Sequence, residues 1–201
     1  MNNSSILVYG VGIKGDKYPT RQGRHLKEYQ TWVNIFVRCF DEKYKLGKPS
    51  YNGCSVSDNF KSYTFFYEWC QTQIGFNTVD ENGKTWHLDK DLLFKGNKVY
   101  SENACVFLPQ RVNMILTSCK AVRGDNPVGV IFHSRDKVFI ARCQFKGKNK
   151  HLGTYRNKED AFVAYKTFKE AYIKEVANEY RTQIDPRAYE ALMNYEVNIN
   201  D

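Results

Sequence analysis

Val138-Phe139-Ile140-Ala141-Arg142-Cys143-Gln144-Phe145 is the stretch that decides the fold. Side chains on a strand alternate between two faces. Phe139, Ala141, Cys143 and Phe145 therefore share one face, suited to packing on a helix, while Ile140, Arg142, Gln144 and Lys146 share the other. Upstream, Val128 to Phe132 reads as a strand, with a turn at Arg135-Asp136. Downstream, Lys146-Gly147-Lys148-Asn149 reads as a hairpin turn and Lys150 to Tyr155 as a third strand. Asn157 then caps a long helix, with Asp160 at the capping-box position. Ala161, Ala164, Tyr165, Phe168, Ala171, Tyr172 and Val176 form its apolar face. The pattern predicts a three-stranded antiparallel sheet packed on one helix over residues 128–184. A short helix from Pro186 to Tyr195, packing back through Tyr189, Leu192 and Met193, falls in the tail 185–201.

Charge says what the polar face is for. The 201-residue chain carries a formal net charge of +8 and a pI near 9.1. Between Ala121 and Ile184 thirteen Lys and Arg face seven Asp and Glu, so this third of the chain holds most of the excess. Such an excess points to an anionic partner. No apolar run approaches the eighteen residues of a membrane span, and Met1-Asn2-Asn3-Ser4-Ser5 does not open a secretory signal. The expectation is a cytoplasmic protein, no membrane contact, and double-stranded DNA as partner. Arg142 and Gln144, with Lys146 on the same face and Arg135, Lys137, Lys148, Lys150 and His151 on neighbouring turns and strands, would form a basic ribbon. Lys and Arg supply phosphate affinity; Arg pairs with guanine and Gln with adenine in the major groove.

The N-terminal part reads as helices with short strands. Ile6-Leu7-Val8-Tyr9 is a short strand leading into Gly10-Val11-Gly12-Ile13-Lys14-Gly15. That string matches a dinucleotide fingerprint, but the fingerprint needs a helix to follow. Asp16-Lys17-Tyr18-Pro19 follows instead, so the glycines serve a turn and no small-molecule cofactor is expected. Tyr29, Trp32, Val33, Phe36, Val37 and Phe40 recur at helical spacing. A second helix starts at Ser57 or Asp58 and carries Phe60, Tyr63, Phe66, Tyr67 and Cys70. The six cysteines make no Cys-x-x-Cys pair, so they read as core residues; a zinc set of Cys39, Cys54, Cys105 and His87 lacks the tight ligand pairs zinc sites use. Ser118 to Pro127 reads as an interdomain linker.

Trp86 to Asn113 is the stretch able to hold chemistry. Its order is strand (Trp86 to Asp89), turn (Lys95 to Lys98), strand (Cys105 to Leu108) and helix (from Arg111). Asp89-Lys90-Asp91, Gly96-Asn97-Lys98, Asn103 and Asn113 are its polar landmarks. His87 shares a strand face with Asp89 and is a candidate base.

Two resemblances rest on these residues. Gly129-Val130, Ala141, Gly147-Lys148, Leu152-Gly153-Thr154-Tyr155 and Glu159 through Tyr165 resemble the plant ethylene-response-factor (APETALA-two) type of DNA-binding domain. Phe139 stands where that family usually has Trp, and Ile131, Phe132 and His133 replace its arginines. Tyr9 to Ile13, Tyr29 with Trp32, Arg38-Cys39-Phe40, Pro49 to Val56, Leu88 to Asp91, Lys95 to Ser101 and Cys105 to Pro109 resemble phage proteins called HNH or homing endonucleases. That resemblance implies an α+β fold whose N-terminal part, 1–120, is an HNH-like ββα-metal domain with added helices. It implies a divalent ion, Mg2+ or a similar cation, held by Asp89 and Asn113, with Asn103 as the residue that orients the base. Lys90 takes the place of the family's general-base His, and a lysine at its ordinary pKa is protonated at neutral pH.

The leading expectation is a DNA-binding protein of homing-endonuclease kind, cutting or nicking double-stranded DNA with a divalent metal. The alternatives are a catalytically inactive DNA-binding regulator and a phage protein that binds a host protein to block a defence system.

Overall fold

The computed structural model, described over residues 7–117 and 126–201, is α+β and divides into two compact units. One comprises Met1–Gln110 with Gln183–Ala188, the other Arg111–Thr182 with Tyr189–Asp201. Most of the expected linker (118–125), Cys119 and Ile6 at the head of the first expected strand lie outside the described residues. Among the described residues no helix is long and apolar enough to cross a membrane.

In the first unit, β1 (Arg21–Gln22) and β2 (Arg24–His25) form a minimal hairpin that precedes α1 (Lys27–Phe40). α1 buries Trp32, Ile35, Phe36 and Cys39 on one stripe, and the Trp32 indole N–H donates to the Phe60 carbonyl at 2.8 Å. A buried donor is thereby satisfied without water. α2 (Glu42–Gly47) is capped by Asp41, and β3 (Ser55–Val56) follows. α3 (Tyr63–Thr72) starts later than the sequence suggests. Its cap is Ser62, whose hydroxyl accepts the Phe65 N–H at 3.3 Å, because Asn59–Lys61 forms a separate tight turn that carries Phe60 into the core. β4 (His87–Asp89) pairs antiparallel with β6 (Val106–Leu108), and β5 (Val99–Tyr100) pairs parallel with β3. The glycine string folds as a turn: Val8 and Gly12 exchange backbone hydrogen bonds of 2.8 Å each way.

The second unit begins with α4, whose full span is Gln110–Leu116. β7 (Val130–His133), β8 (Val138–Phe145) and β9 (Lys148–Tyr155) form an antiparallel sheet in that order, packed against α5 (Lys158–Glu179). The Asn157 Oδ1 accepts the Asp160 N–H at 2.7 Å, as the sequence predicts. The core holds Val128, Val130, Ala141, Cys143, Ala161, Phe162, Tyr165 and Val197, with Phe139, Leu152 and Phe168 at its margin. α6 (Pro186–Met193) closes the element order.

Three local expectations change. First, Phe162, Ile173 and Ala177 are buried on α5 while Ala171 is exposed and Phe168 half-buried. Alanine favours any helix position, so it marks a face poorly. Second, β7 starts at Val130 because Gly129 adopts a φ of +75° and turns the chain, with the Val130 N–H donating to the Pro127 carbonyl at 3.1 Å. Third, the β8–β9 turn is only Lys146 and Gly147, with φ of 48° and 77°. Two left-handed residues give the hairpin turn that matches strand twist, so Lys148 and Asn149 belong to β9. The tail is also tied down: the Val197 N–H donates to Glu170 at 2.8 Å, and Lys166 reaches the Val197 carbonyl at 3.0 Å.

Candidate functional site

The register of the β7-β8-β9 sheet sorts its side chains by face. Val130, Ala141 and Gly153 are aligned, with Ala141 fully buried, so their partners of like parity look toward α5. The opposite, outer face carries four rows: His133 with Val138; Ile131, Ile140 and Thr154; Arg142 with His151; Gln144 with Asn149. A β-bulge between Ala141 and Arg142 offsets β9 by one residue, placing Leu152 opposite the break. Beyond it Lys150 pairs with the buried Cys143 and Lys148 with Phe145.

The expected basic ribbon is therefore narrower than the sequence suggests. Arg142, Gln144 and His151 are exposed on the outer face. Lys146 does not join them, because strand alternation stops at the left-handed turn; its ammonium pairs with Glu175 of α5 at 3.3 Å. Lys150 also faces α5, with its Nζ 4.5 Å from the Phe168 ring centre. Lys148 has the same parity, and both lysines are exposed. Arg135 and Lys137 are exposed in the β7–β8 turn, beside a polar contact of 3.1 Å between His133 Nδ1 and Asp136 Oδ2. Sequence reasoning missed Asn149 and Thr154 as outer-face residues; the two-residue turn and the bulge that put them there are not visible in the alternation of β8 alone.

One backbone hydrogen bond holds Arg142 in place. The Arg142 N–H donates to the Gly129 carbonyl at 2.8 Å. Gly129 lies against the Tyr165 ring so closely that a Cβ there would sit 2.0 Å from Cδ2.

In the middle segment the landmarks are built into a polar turn. The Asp89 Oδ1 accepts the backbone N–H groups of Asp91 at 3.0 Å and Leu92 at 2.8 Å. Burial, then the neighbouring Asp91 carboxylate, push the Asp89 carboxyl up to about 6. Lys90 is only 6% exposed; its ammonium donates to the Asn97 carbonyl at 3.0 Å and pairs with Asp91 at 3.3 Å. Asn97 answers by donating its side-chain amide to the carbonyls of Lys90 (2.7 Å) and Val99 (2.8 Å). The structure thus brings Asn97, not Asn103, to Lys90. Asn103 is exposed in the turn before β6. The sequence carried the signal in Gly96-Asn97-Lys98, but chain order alone does not say which Asn folds back. His87 is exposed, opposite Leu108 in the register. Asn113 lies half-buried on α4, in the second unit.

Among the described residues no three His, Cys, Asp or Glu come together as a metal-binding group. Cys39, Cys54, Cys70, Cys105 and Cys143 are free and buried. Burial and the neighbouring Cys54 push the Cys39 thiol up to about 12. Compared with protein-family models, curated proteins and solved structures, the chain matches none.

Proposed function

We propose that the second unit binds double-stranded DNA by laying the outer face of β7-β8-β9 in the major groove. The observation that carries this reading is the exposed set Arg142, Gln144, Asn149 and His151, paired across two strands with the apolar core behind them. Three strands span about 10 Å between their outer axes, which the major groove, about 12 Å wide, admits. Arg142 offers the forked donor that fits guanine, and Gln144 or Asn149 the paired donor and acceptor that fit adenine. Arg135 and Lys137, exposed in the β7–β8 turn at one tip of the sheet, supply phosphate contacts. The test is fluorescence anisotropy with a labelled mixed-sequence duplex. Replacing Arg142 or Gln144 by Ala should weaken binding by about 1–3 kcal/mol for each side chain that reads a base, while Lys150→Ala, on the α5 side, changes it little. Equal weakening from both faces would refute the placement.

A second reading attaches to the stretch from His87 to Leu116. The antiparallel pair β4–β6, followed in sequence by a helix at Gln110, has the element order of an HNH-like, ββα-metal nuclease. The carboxylates that would hold a divalent ion are Asp89, whose Oδ1 accepts two N–H groups, and the neighbouring Asp91, which also pairs with Lys90. Magnesium is often held by one or two carboxylates, with water and substrate phosphates completing the shell. Bound there it would stabilise a leaving phosphate oxygen. Lys90 donates to the Asn97 carbonyl and pairs with Asp91, so the exposed His87, on the same strand face as Asp89, is the candidate base of this reading. Supercoiled plasmid incubated with magnesium, manganese or chelator tests this: metal-dependent nicks that disappear in Asp89→Ala support it, and uncut plasmid under every metal refutes it.

A further inference from the structure

The outer face is not uniformly polar. Ile131 is aligned with Ile140 and Thr154 across all three strands, and Val138 lies in the next row. Ile131 is 47% exposed and Ile140 half-buried, and among the described residues the core cluster lies on the other side of the sheet. An aligned apolar row on a face that otherwise presents Arg142, Gln144, Asn149 and His151 needs an apolar counterpart on the same ligand. In the major groove the thymine C5-methyl is the apolar group on the base edges. Cations bracket the row: Arg142 follows Ile140 by two residues on β8, and Arg135 and Lys137 occupy the turn beside Val138. The row is thus held where a phosphate-anchored duplex would lie.

We propose that Ile131, Ile140 and the Thr154 methyl read thymine C5-methyl groups, so that the protein prefers A·T pairs next to the pairs engaged by Arg142 and Gln144. This rests on the DNA-binding reading above and specifies its ligand. Arg142 and Gln144 give orientation through hydrogen bonds. The apolar row rejects cytosine, whose exocyclic amine would be desolvated against isoleucine, and also rejects uracil, which leaves the row facing a gap.

The experiment measures affinity of the full chain for alternating poly(dA-dT) and poly(dA-dU) duplexes, which differ in the methyl alone, and for poly(dG-dC) with and without 5-methylcytosine. The thymine duplex should bind about four-fold tighter for each methyl engaged, the change equivalent to burying one methylene-sized group. Cytosine methylation, which places a methyl at the same groove position, should also tighten binding. Ile131→Ser, at an exposed position, should lower the thymine-to-uracil ratio by about four-fold, the share of one methyl, and Ile140→Ser, the second variant, should do the same. Equal affinity of the wild-type protein for the thymine and uracil duplexes overturns the methyl reading while leaving DNA binding in place. Failure to bind any of the duplexes overturns the DNA-binding reading itself.

Discussion

Gly129→Ala perturbs the joint that links the core of the second unit to its outer face. The residue has a φ of +75°, and the added Cβ would lie 2.0 Å from Cδ2 and 2.2 Å from Cγ of Tyr165. Tyr165 is 7% exposed and packed among Val130, Ala141 and Phe162, so its ring has little room to retreat. Two costs add. A left-handed backbone costs an L-residue about 1–2 kcal/mol, and forcing a methyl into a packed core costs about 1–3 kcal/mol. The expected destabilisation is roughly 2–5 kcal/mol, read as a lower urea midpoint with unchanged slope. A double-mutant cycle separates the two. In a Tyr165→Ala background the clash is gone, and Gly129→Ala should cost only the backbone part of about 1–2 kcal/mol. Because the Gly129 carbonyl accepts the Arg142 N–H, DNA affinity should fall in the single variant even where it remains folded. A destabilisation below about 0.5 kcal/mol, typical of a surface change, would refute the close approach of Gly129 to Tyr165 that sets the start of β7.

Asn157→Ala removes the α5 cap and should cost about 1 kcal/mol in chemical denaturation. Asn97→Ala deletes two donated bonds and one accepted from the Val99 N–H at 3.1 Å; at about 1 kcal/mol each the cost should reach about 3 kcal/mol, and hydrogen exchange should rise at Val99. Asp89 is a carboxyl raised in the folded state, first by burial and then by Asp91. Its protonated form therefore contributes stability below the unfolded value near 4, and that contribution is lost as pH rises to about 6. Asp89→Asn keeps the acceptor for the Asp91 and Leu92 N–H groups, so in chelator it should flatten this fall and be the more stable protein at pH 7. A variant profile parallel to wild type between pH 4 and 6 would contradict the assignment.

The second unit is legible in the sequence because its signals are local. The alternation of β8 matches its observed span residue for residue, and the Asn157 cap and the long helix follow as read. What depends on pairing partners is not legible. Lys148 and Lys150 look like a continuation of the basic face until the two-residue turn sets their parity toward α5, and Lys146 leaves the strand at that turn. Val197 joins the core through hydrogen bonds with Lys166 and Glu170 that no periodicity announces. In the first unit the strands have two or three residues each, too short for a period to register. Asp89 and Lys90 stand out as landmarks in the sequence, where Lys90 stands in the place that the resemblance gives to a general-base His. That it is buried, with its ammonium on Asn97 and Asp91, is visible only in the fold.

Whether the outer face of β7-β8-β9 sits in the major groove of DNA is tested most directly by dimethyl sulfate probing of a bound duplex, because guanine is methylated at N7 in the major groove and adenine at N3 in the minor groove. Guanine N7 should be protected within the bound site, and in Arg142→Ala that protection should vanish at one guanine while the rest of the footprint persists. Protection confined to adenine N3, or a tight complex with every guanine N7 still reactive in wild type, would contradict the major-groove placement.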